Sequence, residues 1–377
     1  MERVKALQRV LYERGETAAL ISSPENIRYF TGFYVWNASA PFALALVPAR
    51  GDPVLLVSRA DESLARAVSR AALEPYDPAP GGFRTTAELC RRALEHAEAA
   101  GGVLGCEFGS LTLDRARVLE EILSGYRFSD IGAALTDLRM IKDEDEQLAF
   151  RRAAELVASA VHNTAPTVRP GTSEIEIKAA MDLAVCTEGA RRWPDAIVQS
   201  QTNVVSGPKL NRLHDAATGR TAGPGEMVFV MGGASVNGYW ANIGRTLFVP
   251  GGSPPRSARR GLDVAAAAQR AAVGRLGPGI PLGEAVRAAD AVLVEAGLDD
   301  RKTYPVFRGL GLRIDERPRA ADLDLILRPG MCLCAQLYLR LPEAIVGQSD
   351  SVLITANGAA LVSEPQGEVL RWNPSTG

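Results

Sequence analysis

Apolar and polar positions along the chain switch between two spacings. Val4, Leu7, Val10 and Leu11 recur at helical intervals and predict an amphipathic helix over residues 1–14. The short run "TAALISS" (17–23) predicts a buried strand. "FALALVPARGDPVLLVS" (42–58) joins two apolar runs through a Gly-Asp-Pro turn, which reads as a hairpin. Helical segments near 60–72 and 86–100 alternate with a further strand in "GGVLGCEF" (101–108). A small α/β domain over 1–135 is the expectation, followed by a second domain over 136–377. The second domain starts with a long helix (144–164) whose first turn, Asp143 to Glu146, is acidic. Acids there complement the positive end of the helix dipole.

The second domain contains an internal repeat. "PGTSEIEIKAAMDLAVCTEG" (170–189) and "PGIPLGEAVRAADAVLVEAG" (278–297) both begin with Pro-Gly, continue as amphipathic helices and end in Gly, the usual residue just past a helix C-terminus. Ser173 and Glu176 have the spacing of a capping box. Each copy follows a long Ala/Arg-rich helix, at 144–164 and 256–274. Two similar halves about a pseudo-twofold axis are expected, with a site between them. In "VFVMGGASVNGYWANIGRTLFV" (228–249) two strands flank an Asn-Gly turn, and the whole stretch has no acidic residue.

Composition narrows the class. A chain of 377 residues with 46% apolar and 23% charged positions has the make-up of a globular protein of two domains. The net charge of −2 gives no pull toward nucleic acid or an anionic membrane. The charged N-terminus is unlike a signal peptide, and no apolar run approaches the ~18 residues of a membrane span. Five cysteines without a CxxC pair suit reduced thiols, so a cytoplasmic location is expected. The Gly/Pro stretch near 250–261 lacks the strand–GxGxxG–helix context of a nucleotide site, and no cofactor is expected.

Six stretches in order, "SPENIRYFTGF" (23–33), "LRMIKDEDE" (138–146), "SGPKLNRLH" (206–214), "NGYWANIGRT" (237–246), "FRGLGLRIDERP" (307–318) and "RPGMCLCAQLY" (328–338), resemble the creatinase/prolidase/aminopeptidase P family. The resemblance covers nearly the whole chain. It implies a mixed α/β (α+β) fold, with a creatinase-type N-terminal domain before a pseudo-twofold pita-bread domain. The family's peptidases hold two metal ions with two Asp, one His and two Glu. Matched along the motifs, those positions fall on Met231, Asn242, Arg308, Gln336 and, at or near the last, Ser349. Divalent cations need carboxylate or imidazole donors at about 2.0–2.2 Å, and a guanidinium is a fixed cation. No metal is expected. Creatinase, the metal-free member, has a proton-transferring histidine that matches His214. Its two substrate-gripping glutamates fall on Gly244 and Gln336, so creatine is not the expected substrate.

The resemblance therefore implies His214 as a general acid/base, assisted by Asp315 or Glu316. Arg308, Asn242, Gln336 and Tyr239 are expected to bind a small polar substrate bearing a carboxylate, although Tyr239 could equally be structural, as an aromatic in a strand usually is. Arg308 could instead make a buried salt bridge with Asp315 or Glu316. Met231 reads as packing. Cys332 and Cys334 alternate on a strand and read as buried apolar residues. Arg28, Tyr29, Tyr34 and Trp36 cluster in a motif that in this family often reaches the partner's site, so a homodimer is expected; a simple fold-stabilising turn is the competing reading of this cluster. The competing reading is a catalytically inactive pita-bread protein that binds a peptide or ligand.

Overall fold

Strands and amphipathic helices build two units, Met1–Arg139 and Met140–Gly377, in a computed structural model that describes residues 2–34, 43–77, 82–97, 99 and 101–363. In the first unit, helix α1 (Glu2–Arg14) buries Leu7 and Leu11. Strand β1 (Ala18–Ile21), the "TAALISS" run, is wholly buried. It is followed by α2 (Pro24–Thr31), β2 (Leu44–Pro48), β3 (Val54–Ser58), α3 (Glu62–Val68), β4 (Ala72–Tyr76), α4 (Phe83–His96), β5 (Gly102–Cys106), α5 (Leu113–Ile122), β6 (Tyr126–Asp130) and α6 (Gly132–Met140). The sheet runs β4-β3-β2-β1-β5-β6, with β2 and β3 forming the expected hairpin. The helix expected over 60–72 is shorter, ending at Val68, and β4 begins at Ala72. Of the side chains on this edge strand only Tyr76 is buried, so no apolar period betrays it.

The motif over 23–33 forms α2, capped by Ser23 at the amide of Asn26. The buried Glu107 carboxylate accepts from the Ser22 and Ser23 amides at 2.6 and 2.9 Å and from Asn26 Nδ2 at 2.6 Å. Tyr29 is buried and donates to the Leu138 carbonyl at 2.9 Å, while Arg28 lies over the Tyr34 ring at 4.7 Å. Tyr29 thus has a structural role within its own unit. Trp36 lies outside the described residues.

The second unit has two halves with one element order. The first half comprises α7 (Glu144–Thr164), α8 (Glu174–Arg192), β7 (Val198–Ser206), β8 (Met227–Val236) and β9 (Tyr239–Phe248). The second comprises α9 (Arg256–Val273), α10 (Leu282–Ala296), β10 (Phe307–Gly309), β11 (Cys332–Arg340) and β12 (Ile345–Thr355), with β13 (Gly358–Leu361) added. One sheet, β10-β11-β12-β9-β8-β7, joins them through antiparallel pairing of β9 with β12. The Asn-Gly turn between β8 and β9 has φ of 49° at Asn237 and 82° at Gly238, as a tight hairpin demands.

Helix ends follow local chemistry where no tertiary contact competes. Asp143 with Glu146 and Ser173 with Glu176 both form capping boxes, and Gly297 closes α10 in the left-handed region. Gly189 does not end its helix as the repeat predicts, since α8 continues to Arg192. A Cβ there would collide with the Val198 side chain, so this glycine serves helix–strand approach. No described helix is long and apolar enough to cross a membrane.

Candidate functional site

Strand register sets the candidate site. Met231 pairs with Gly244, Gly244 with Ser349, and Ser349 with Gln336, so these four cross the sheet in one row. Alternation puts Asn242 on the face of Gly244, and Cys334 and Tyr338 on the face of Gln336. Arg308 pairs with Cys334 and joins the same row system from β10. The opposite face receives the helices: a Cβ on Gly232 would strike Val157 of α7 and Met181 of α8, and Gln269 of α9 reaches Asp350 at 3.1 Å.

Asn242 is the hub. Its Oδ1 accepts from Arg308 Nη2 at 3.2 Å, Ser349 Oγ at 3.4 Å and, more weakly, Cys334 Sγ at 3.7 Å. Its Nδ2 donates to the Gly232 carbonyl at 3.0 Å, and it is only 1% exposed. Asn242 therefore orients Arg308; the expectation that it meets a substrate directly is corrected by its burial and by the three donors on its Oδ1. Arg308 is half-buried. Its Nη1 is shut off from solvent with no hydrogen-bond acceptor, and the side chain forms no ion pair among the described residues. Gln336, also half-buried, donates to the Pro305 carbonyl at 2.9 Å. Asp350, one residue from Ser349, faces the helices and pairs with Arg245 at 2.6 Å.

Three further expectations need correction. Tyr239 is buried and donates to the Glu146 carboxylate of α7. Three residues from Asn242, it has the opposite strand parity and faces the helices, away from the row. Glu316 is 2% exposed, lies 3.7 Å from the buried Lys142 Nζ and accepts from the Arg313 amide at 3.0 Å. Asp315 is exposed. The cause is local: Gly309 and Glu316 exchange backbone hydrogen bonds, and this closure turns the Glu316 carboxylate toward Lys142. Neither acid pairs with Arg308, so neither the assisting base nor the alternative salt bridge is formed.

His214 is exposed, in the turn after a 3₁₀ segment (Gly207–Asn211). Its ring meets Tyr304 edge to face at 5.6 Å, Tyr304 meets Tyr338 at 5.7 Å, and Tyr338 meets Phe229 at 5.4 Å. This aromatic series leads from His214 to the space over Gly244. The loop is held by Glu174, buried at the start of α8. Glu174 accepts from the Ser206 amide at 2.9 Å, Lys209 Nζ at 2.6 Å and the Thr218 amide at 3.0 Å. Burial pushes the Glu174 carboxyl up, but Lys209, Ser206 and Thr218 together outweigh it and hold its pKa below the ordinary value. A depressed carboxylate contributes stability that is present above its unfolded pKa and is lost as pH falls through the folded one. Glu174→Gln is therefore expected to lower the melting temperature at pH 7 more than at pH 3. An equal loss at both would contradict the role of the ionised form.

Cys332 and Cys334 are buried free thiols, as are Cys90 and Cys106, whereas Cys186 is exposed. Burial pushes Cys332 up to about 12, and it raises Cys334 as well. Tyr338 and Glu174 escaped the sequence reading. For Tyr338 a signal existed, since it stands two positions after Gln336 in the quoted motif and so shares its face.

A seven-stranded, doubled sheet with two helix pairs behind it and a polar row in front defines the pita-bread class. The chain belongs to metallopeptidase family M24, whose pattern matches residues 149–356, and residues 3–141 match the creatinase/prolidase N-terminal domain. It is similar to an Xaa-Pro dipeptidase of Pyrococcus furiosus, at 26% identity over 98% of this chain and 99% of that one. In fold it is similar to the prolidase of Pyrococcus horikoshii OT3 (TM-score 0.83, 24% identity, 98% and 99% covered). The Xaa-Pro dipeptidase of Bacillus anthracis is another fold relative (TM-score 0.84, 21% identity, 98% and 99% covered).

The family implies a metal pair, and the residues present do not fit one. Among the described residues no group of three or more His, Cys, Asp or Glu could hold a metal ion. A thioether, two amides, a hydroxyl and a guanidinium stand at the matched positions, and the last brings a fixed positive charge where ligands are needed.

Proposed function

We propose that this M24 protein is a metal-independent hydrolase acting on a carbon–nitrogen bond of a small substrate that carries a carboxylate. The observation behind this reading is Arg308. A guanidinium held by a neutral amide, with one nitrogen buried and lacking an acceptor, is costly unless an anion completes it. A carboxylate would supply the missing acceptor through charge-assisted hydrogen bonds. In the proposed reaction His214 takes a proton from the attacking water and returns it to the leaving nitrogen, the usual work of a positioned imidazole. Gln336 lies on the same face between the His214 end and Arg308 and adds an amide for polar contacts. An elimination would use the same base and anchor, and product analysis separates it from hydrolysis.

The relatives named Xaa-Pro dipeptidases make Xaa-Pro dipeptides, with their free carboxylate, the first compounds to assay. Turnover by the purified chain is expected to persist after dialysis against a chelator and to gain nothing from added manganese, cobalt or zinc. Activity that vanishes with the chelator and returns with one of these ions would remove the reading.

A further inference from the structure

We propose that the Tyr338 hydroxyl is the second donor to the anion held at Arg308, so that the two residues grip the substrate carboxylate together; this rests on the reading of Arg308 given above. The sheet is shaped around this side chain. A Cβ on Gly244 would collide with Tyr338 Oη and with Ser349 Oγ, and one on Gly347 would collide with the Tyr338 ring. The two glycines thus clear the volume that the ring fills. Phe229 at 5.4 Å and Tyr304 at 5.7 Å both pack edge to face with the ring. Buried and packed in this way, the hydroxyl is aimed at the bare backbone of Gly244, on the face that carries Arg308.

Ser349 ties the two donors together. Its Oγ donates to the Asn242 Oδ1 that also receives Arg308 Nη2, and the same hydroxyl partners the Tyr338 phenol. Through Asn242 and Ser349 the guanidinium and the phenol share one hydrogen-bonded cluster. Burial is the largest influence on the phenol and holds it above its ordinary pKa, so it stays protonated and can donate. One cationic and one neutral donor match the two oxygens of a carboxylate. Among the described residues no hydrogen bond takes up the buried Arg308 Nη1, and a buried donor in this state calls for an acceptor. The Tyr338 hydroxyl, partnered by Ser349, turns from that hydroxyl to the anion when it arrives.

The test is a titration with ¹³C-labelled acetate, followed by NMR, of the full chain and of its Arg308→Ala and Tyr338→Phe variants. Wild type is expected to bind acetate, and Arg308→Ala to abolish binding. Tyr338→Phe keeps the ring in its packing and is expected to weaken acetate by roughly 10- to 100-fold, the loss of one hydrogen bond to a charged group. Undiminished binding by a folded Tyr338→Phe, with Arg308→Ala dead, overturns the role of Tyr338 and leaves Arg308 as the anchor. Absence of binding by wild type overturns the anchor itself. Should Tyr338→Phe fail to fold, 3-fluorotyrosine-labelled wild type replaces it. A ¹⁹F shift of residue 338 on adding acetate supports the proposal, and an unmoved resonance in protein that binds acetate overturns it.

Discussion

Glu316→Ala is expected to destabilise the second unit by about 3–5 kcal/mol, the usual cost of stranding one member of a buried ion pair. Lys142 and Glu316 are 1% and 2% exposed in their side chains, so the ammonium left behind has no route to water without local opening. For a unit of this size the melting temperature should fall on the order of 10 °C. The double variant Lys142→Met/Glu316→Leu should regain most of the loss, because apolar replacements of a buried pair carry no desolvation cost. Calorimetric melts of the three proteins are the measurement. A Glu316→Ala protein that melts with wild type would show that the pair is solvated in solution. Arg308→Ala serves as the contrast: its partner is a neutral amide, so no stranded charge remains and its melting temperature should stay near wild type.

His214→Ala carries the largest expected effect on activity, a fall in turnover of roughly 10²- to 10⁴-fold. The ring is exposed and meets Tyr304 edge to face, so stability should barely move. The loop around it is held by Glu174, Lys209 and Thr218 and not by the imidazole. A folded His214→Ala enzyme with full turnover would eliminate the proton-transfer role and with it the proposed chemistry. His214→Gln tests the same point with a side chain that can still hydrogen-bond but cannot shuttle a proton near neutral pH.

These expectations rest on a site that was only partly legible in the chain. Asn242, Gln336 and Arg308 could be placed on one face because strand parity and the motif order fix them. The same parity argument would have removed Tyr239, which stands an odd number of positions from Asn242 and points at Glu146. Asp315 and Glu316 could not be resolved in this way. They lie in a non-repetitive turn, where no period says which way a side chain faces, and the turn's closure on Gly309 decided it. Lys142, the partner that Glu316 takes, is 174 residues away in the chain (316 − 142), and no local signal links two such positions.

What the sequence determined by itself is everything governed by short-range periodicity and capping. That covers the helix starts at Asp143 and Ser173, the Asn-Gly hairpin, the Gly297 stop, the doubled order of elements and the family to which the chain belongs. Each depends on a few neighbouring residues whose backbone preferences and hydrogen bonds are complete within one or two turns. The tertiary structure alone decided where charge and volume go. It ran α8 past Gly189 because Val198 needed the approach, and it paired Glu316 with Lys142. It also brought Tyr338 into the space left by Gly244 and Gly347, and it kept Arg308 Nη1 without an acceptor. Those outcomes depend on distances between strands far apart in the chain. Close packing in a sheet interior leaves one arrangement of large, small and charged groups that fits, and only the assembled sheet specifies it.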